Sequence, residues 1–217
     1  MTRTLFDQEL EDVRTTASRM GALVEEAIRH SVQALLQHDR DLANSVIEGD
    51  SRINSLHLQL REEVFTVMAT QAPVARDLRM LVGLQYIGAE LERIGDYAAR
   101  IAKRARRLAD QPRTATYVEL GQMADLVERQ VHDILDAFIR VDKDAAIAVA
   151  KRDDDIDRLY RRVFAEQISA LAADPDHVEQ TQYLLNIAHT LERIGDRVTN
   201  VAEDIVFLDT GQVVELD

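Results

Sequence analysis

Apolar or small residues return every three or four positions along most of the chain. Leu23, Ala27, Ser31, Ala34 and Leu35 mark one such stripe, and Val127, Val131, Ile134, Leu135 and Phe138 mark another. That spacing belongs to a helix with one buried face, and the strict alternation of a half-buried strand is absent. The first stripe predicts a helix from about Thr4 to Gln37, and the second predicts one from about Tyr117 to Arg140. Second helices should begin near Asp39 or Asp41 and near Asp142 or Asp144, because an Asp side chain can cap the orphaned N–H groups of a first turn. Third helices should follow Pro73 and Pro175, whose missing N–H costs little in a first turn, with Asp174 as a further cap. Pro112, in Asp110-Gln111-Pro112-Arg113-Thr114, is the best linker. The expected fold is all-α: two tandem antiparallel three-helix bundles, six helices, packed side by side, with repeats at 1–110 and 114–212 and a tail at 213–217.

The halves are copies of each other. Glu92-Arg93-Ile94-Gly95-Asp96 recurs unchanged as Glu192-Arg193-Ile194-Gly195-Asp196. Met20, Leu23, Val24 and Glu25 match Met123, Leu126, Val127 and Glu128, and Asp50, Ile53 and Leu56 match Asp153, Ile156 and Leu159. The earlier matches are 103 positions apart and the motif copies 100, so a short length difference should fall in the connections before Pro73 and Pro175.

Composition narrows the function. A net charge of −13 argues against gripping nucleic-acid phosphates or anionic lipid, and favours cations or a basic protein surface as partners. Without cysteine, disulfides, thiolate zinc sites and a catalytic thiol are excluded. There is no apolar N-terminal signal and no run of about 18 apolar residues, so a cytoplasmic protein without a transmembrane segment is the expectation.

The duplicated motif carries the candidate chemistry. Glu92 and Asp96, like Glu192 and Asp196, are one helical turn apart and share a face. Like charges so placed repel by roughly 0.2–0.5 kcal/mol unless a positive group intervenes. On the second copy the face continues through Asn200 and Glu203, whereas on the first it continues through Arg100 and Lys103. The second helices offer matching oxygen pairs, Asp50 with Asn54 and Asp153 with Asp157. If second and third helices pack antiparallel, each ladder faces one pair. Carboxylate and amide oxygens suit hard cations such as Mg²⁺, Mn²⁺ or iron, with Zn²⁺ a further candidate. The plainer alternative is a solvated face, with Arg93 near enough to pair with Asp96 and Arg193 with Asp196.

Gly95 and Gly195 weigh against a merely solvated face. Each costs roughly 1 kcal/mol relative to Ala inside a helix, so the same cost borne twice implies close approach of a neighbour. His189, three positions before Glu192, reads as a packing or surface histidine. The basic run Arg100, Lys103, Arg104, Arg106 and Arg107 reads as the complement of a helix C-terminus, or else a docking patch. Asp153-Asp154-Asp155 reads as a solvated turn or a helix start. No Glu-x-x-His, phosphate loop, His-Glu-x-x-His or nucleophile–base pair occurs.

Two three-helix repeats, a Glu-Arg-Ile-Gly-Asp motif in each third helix, Arg197-Val198-Thr199-Asn200 after the second copy, and the Pro73–Leu81 stretch before the first together resemble the PhoU family, from about Phe6 to Leu208. The resemblance implies a cytoplasmic, often dimeric adaptor without catalytic activity. It implies partners in the phosphate ABC transporter (its ATPase subunit) and a sensor histidine kinase, any membrane association running through them, and negative regulation of phosphate import and of the starvation response. It also implies metal ligation by Glu92, Asp96, Glu192 and Asp196, with Asn200, the pair Asp50 and Asn54, and the pair Asp153 and Asp157 as further ligands. Arg100 departs from the pattern by standing where Asn200 stands in the second copy. The rival from another class is a carboxylate-ligated metalloenzyme or metal-storage bundle, and a third is a metal-free structural homodimer.

Overall fold

Three long helices, α1 (Arg3–Gln37), α2 (Arg40–Gln71) and α3 (Arg76–Leu108), form the first bundle of the computed structural model, which describes residues 3–111 and 117–216. The second bundle contains α4 (Val118–Arg140), α5 (Lys143–Ala150), α6 (Asp153–Ala173) and α7 (Val178–Thr210). Most of the linker around Pro112 lies outside the described residues. No strand occurs among those described. The two bundles pack side by side, α3 antiparallel on α7 and α1 on α4.

The predicted helix limits hold closely in α1 and α4. Both end in the same device. His38 and Val141 turn into the left-handed region (φ 56° and 52°). Asp39 and Asp142 then cap the next helix: Asp39 Oδ1 accepts from Leu42 N at 2.9 Å, and Asp142 Oδ1 from Ala145 N at 3.0 Å.

The six-helix plan holds with one refinement, and two expectations need correction. The second helix of the second repeat is interrupted at Lys151-Arg152, so it runs as the two segments α5 and α6. Arg152 bonds sideways to Asp133 of α4 there, and the three acidic residues Asp153, Asp154 and Asp155 restart the chain as the first turn of α6, where carboxylates favour the helix dipole. Pro73 sits in the α2–α3 connection rather than in a first turn, and Pro175 opens a short 3-10 turn, Pro175–His177, capped by Asp174 Oδ1 accepting from Asp176 N at 3.2 Å. Finally, the connections 72–75 and 174–177 are equally long, so the length difference between repeats is taken up at helix ends, not in a loop.

The core runs unbroken through both bundles. Leu84, Ile87, Leu91 and Ile94 of α3 and Leu184, Ile187, Leu191 and Ile194 of α7 are all fully buried. Gly83 lets Leu208 close against α3, since a Cβ there would collide with the Leu208 side chain. The third helices therefore serve twice, as the inner wall of their own bundle and as the seam between the two.

Candidate functional site

Each motif sits where its third helix crosses the second helix of the same repeat. The antiparallel packing of α2 on α3 brings Asp50 and Asn54 opposite Glu92 and Asp96. In the second repeat, α6 brings Asp153 and Asp157 opposite Glu192 and Asp196. All nine proposed ligands, Asn200 included, are half-buried. The ladders thus form two separate clusters, one per repeat, and neither lies splayed in bulk water.

Gly95 and Gly195 permit the approach, with different neighbours. A Cβ on Gly95 would meet Ile53 Cδ1 at 3.0 Å and Cγ2 at 3.2 Å. A Cβ on Gly195 would overlap Asp153 Oδ1 and meet Ile156 Cδ1 at 3.3 Å. Ile53 and Ile156 are repeat equivalents, so the packing is duplicated, but only the second repeat lays a carboxylate directly on the glycine.

In the first cluster, burial and then the Asp96 charge raise the Asp50 carboxyl above its ordinary value, while Asn54 and Lys103 oppose the rise. Asn54 Nδ2 donates to Asp50 Oδ2 at 3.2 Å. Glu92 is likewise raised, by burial first and then by Asp96, with Asp50 adding to it and Arg93 opposing. Asp50 Oδ1 and Asn54 Oδ1 are buried without a hydrogen-bond partner. Asp96 is paired not with Arg93 but with Arg100, at 4.0 Å, while Arg93 turns to Glu90 at 3.9 Å.

The second cluster is more acidic and more crowded. Asp153 is pushed up to about 6, by burial first and then by Asp196 and Asp157, with Gln130 opposing and Glu192 adding a little. Glu192 is raised by burial and then by Asp196. Asp153 Oδ1 and Glu192 Oε2 are buried without a hydrogen-bond partner. His189 Nδ1 stands 3.1 Å from Glu192 Oε2, off the line of a hydrogen bond, and is largely exposed. Arg193 pairs with Asp196 at 3.5 Å, and Arg161 with Asp157 at 3.2 Å. Asp153, Asp196, Asn200 and Glu203 line a polar cavity of about 310 Å³.

The donors fit a hard cation, being carboxylate and amide oxygens with several buried lone pairs unused. Among the described residues no three Asp, Glu or His side chains already converge as a cage. Carboxylates that repel one another turn toward nearby arginines, as Asp96, Asp157 and Asp196 do.

Sequence reasoning missed two participants. Gln130 of α4 is buried beside Asp153, its Oε1 unpartnered, and the signal was a polar residue among Val127, Val131 and Ile134. The other is a half-buried ionic group across the seam, where Arg197 Nη1 meets Glu90 Oε2 at 3.2 Å close to Asp204. No motif announces it, because its members lie on different helices far apart in the chain. Of the basic run, Arg106 donates to Asn44 Oδ1 at 3.1 Å and Arg100 lies 5.2 Å above the Tyr97 ring.

With this geometry in hand, comparison with known proteins is direct. The PhoU domain profile matches residues 17–105 and 120–205, one copy on each repeat. The chain is 37% identical over 218 residues to a phosphate-specific transport system accessory protein PhoU homolog of Clostridium acetobutylicum, covering 100% of both chains. It is 33% identical to the Escherichia coli (strain K12) phosphate-specific transport system accessory protein PhoU, covering 95% of this chain and 86% of that one. The crystal structure of PhoU from Pseudomonas aeruginosa superposes with a TM-score of 0.92 at 36% identity, over 95% of this chain and 100% of that one. That of the phosphate transport system regulatory protein PhoU from Streptococcus pneumoniae gives 0.90 at 30% identity, over 97% and 99%. In sequence, repeat structure and fold, the chain belongs to the PhoU family, a family of non-enzymatic accessory proteins.

Proposed function

We propose that the chain is a cytoplasmic accessory protein of phosphate transport, linking the phosphate ABC transporter, through its ATPase subunit, to a sensor histidine kinase and restraining both import and the starvation response while phosphate is plentiful. The observation that carries this reading is likeness to phosphate transport accessory proteins along the entire chain, through both repeats. No helix among the described residues is long and apolar enough to cross a membrane, which fits contact with the membrane through partners only. Leu58, Phe65 and Tyr86, all exposed, line a groove of about 700 Å³ between α2 and α3, the kind of apolar surface a partner covers. A homodimer is part of the same proposal.

The acidic clusters are the part of the site a cation would occupy. Glu92, Asp96, Asp50 and Asn54 would hold it in the first repeat, and Glu192, Asp196, Asn200, Asp153 and Asp157 in the second. Bound there, a divalent ion (Mg²⁺, Mn²⁺, Fe or Zn²⁺) supplies positive charge and no turnover. The chain's own residues do the rest: Gly95 and Gly195 set the helix spacing, and the second helices present oxygens to the third. Because α3 and α7 also form the seam, helix spacing in a repeat bears directly on how the repeats meet. Transporter and kinase would each have to prefer one arrangement for such a joint to signal.

Deleting the gene and following a phosphate-starvation reporter at high phosphate tests the adaptor role. Constitutive expression is the expected outcome, and unchanged repression would sink it.

A further inference from the structure

Neither the acidic clusters nor the seam uses most of the basic run of α3. Arg93, Arg100, Arg104 and Arg107 follow one another at steps of seven, four and three, so they share one helix face. Arg93, Arg100 and Arg107 are exposed, and Arg104 is half-buried. The face looks outward between α2 and α7, with Arg193 of α7 coming beside Tyr97 on one flank and Lys103 near Asp50 of α2 on the other. Complementing the helix dipole accounts for Arg106 and Arg107 in the last turn, but the effect does not extend back to Arg93 or Arg100. Those two hold acids only loosely, Glu90 at 3.9 Å and Asp96 at 4.0 Å. Arg104 Nη1 donates to Arg100 O at 3.1 Å, and neither Arg104 nor Arg107 pairs with a carboxylate among the described residues. Burial and then the Arg100 charge pull the Arg104 guanidinium below its usual range. Like charges one turn apart repel, so the run works against the helix that carries it. A third helix also forms without it: the positions matching Arg100, Lys103, Arg104 and Arg107 in the second repeat are Asn200, Glu203, Asp204 and Phe207.

Toward the start of α3 the same face becomes apolar. Tyr86 stands seven positions before Arg93, two helical turns along one stripe, and is exposed. With Val82 it forms one wall of the 700 Å³ groove whose other wall holds Leu58 and Phe65 of α2. Phe65 is 74% exposed. Groove and arginine track therefore lie end to end, spanning about 30 Å from Tyr86 to Arg107. The whole chain, at −13, favours basic partners, and this strip reverses the sign locally.

The two halves together limit the occupant. A strand of nucleic acid or polyphosphate would satisfy the arginines and leave the groove bare. A second copy docked about a two-fold axis would lay the strip on itself, arginines facing arginines or the groove. A protein segment with apolar side chains at one end and carboxylates at the other matches both halves.

We infer that the outward face of α3, with the α2 wall of the groove, docks an acidic segment of a protein partner, its apolar side chains seated beside Phe65 and Tyr86 and its carboxylates along Arg100, Arg104 and Arg107. This rests on the adaptor reading above and names the chemistry of one of its contacts.

Overlapping peptides that tile the transporter's ATPase subunit and the cytoplasmic part of the kinase, arrayed and probed with the labelled full chain, test it. Bound peptides should join apolar residues to an acidic stretch. The strongest, titrated in solution by fluorescence anisotropy, should bind at least about tenfold more weakly to Arg104→Glu with Arg107→Glu, and to Phe65→Ser with Tyr86→Ser. Arg104→Lys with Arg107→Lys keeps the charge and should stay within about threefold of the parent. High salt should weaken the parent's binding. Circular dichroism checks helicity in every variant. An array with no bound peptide, bound peptides that are neutral or basic, or an affinity indifferent to the arginine pair would each overturn the inference. Loss from the arginine pair with none from the Phe65 and Tyr86 pair would mark a bare polyanion site and overturn it as well. The adaptor reading stands or falls separately, on the starvation reporter in the deletion strain.

Discussion

Asp153 holds its carboxylate where a Cβ on Gly195 would stand, and Ile53 holds only its two methyls near the same place beside Gly95. The two glycines, identical in sequence context, therefore differ in what they protect. Gly195→Ala must push aside a half-buried carboxylate at the start of α6, with Ile156 Cδ1 at 3.3 Å beside it, and overpacking of this kind costs about 1–3 kcal/mol. The better helix propensity of Ala returns roughly 1 kcal/mol. Gly95→Ala meets side-chain methyls at 3.0 and 3.2 Å that can yield by a few tenths of an ångström. Urea denaturation should show Gly195→Ala less stable than the parent and Gly95→Ala within about 0.5 kcal/mol of it, by the same opposing effects. Equal destabilisation by both would mean that the Asp153 contact is not what requires the glycine.

The same comparison shows what the sequence could reveal. Helix positions, the repeat, and each capping aspartate to within two residues were legible because each follows from spacing or from a residue's local hydrogen bonding. The approach of second to third helices was legible from two glycines in helix interiors. The break at Lys151-Arg152 was not, since Arg152 is drawn to Asp133 on another helix, a tertiary preference that leaves no local mark. Pairing within the motif was half legible, for a related reason: Arg193 does reach Asp196, but Arg93 does not reach Asp96. Arg93 has Glu90 and Asp96 both three positions away, and packing rather than spacing chose Glu90. Gln130 was visible as a polar residue in an apolar stripe, but its meaning required Asp153 from another helix.

The duplicated caps allow an internal control. Asp39→Ala removes the acceptor for Leu42 N, and Asp142→Ala the acceptor for Ala145 N. Each should cost about 1 kcal/mol, and the double variant about 2, because well-separated sites add. A double variant no less stable than either single one, in thermal or urea unfolding, would refute independent caps.

Arg197 and Glu90 join α7 to α3 across the seam, their side chains only 15% and 14% exposed. Arg197→Met would leave Glu90 beside Asp204 with its cation gone, and breaking a buried pair from one side costs about 3–5 kcal/mol. Glu90→Gln in the same chain should recover a good part of that loss, because the stranded charge disappears. A double-mutant cycle by urea denaturation reads the coupling, and strictly additive losses would argue against a direct pair.

Asp204 gives the seam a pH dependence whose sign is fixed by its surroundings. Burial first, then the charges of Glu90 and Glu203, raise its carboxyl from 3.8 to about 7. Near neutral pH the folded chain therefore holds a proton that the unfolded chain has released. Stability rises with pH only where the unfolded state binds more protons, so this group does the opposite. Its contribution is unchanged below about pH 4, declines as pH rises from about 4 to 7, and is fully unfavourable above that. At about 1.36 kcal/mol per pH unit the loss has a ceiling of about 4 kcal/mol, and water reaching the half-buried carboxyl reduces it to about 1–2. Asp204→Asn removes the group's titration while keeping its shape. The variant should match the parent near pH 4 and exceed it by about 1–2 kcal/mol at pH 8, the gap opening through neutrality. Asp153, also raised, titrates in both proteins and cancels in the difference. Parallel stability–pH curves for parent and variant would show that Asp204 keeps an ordinary acidity in the folded chain.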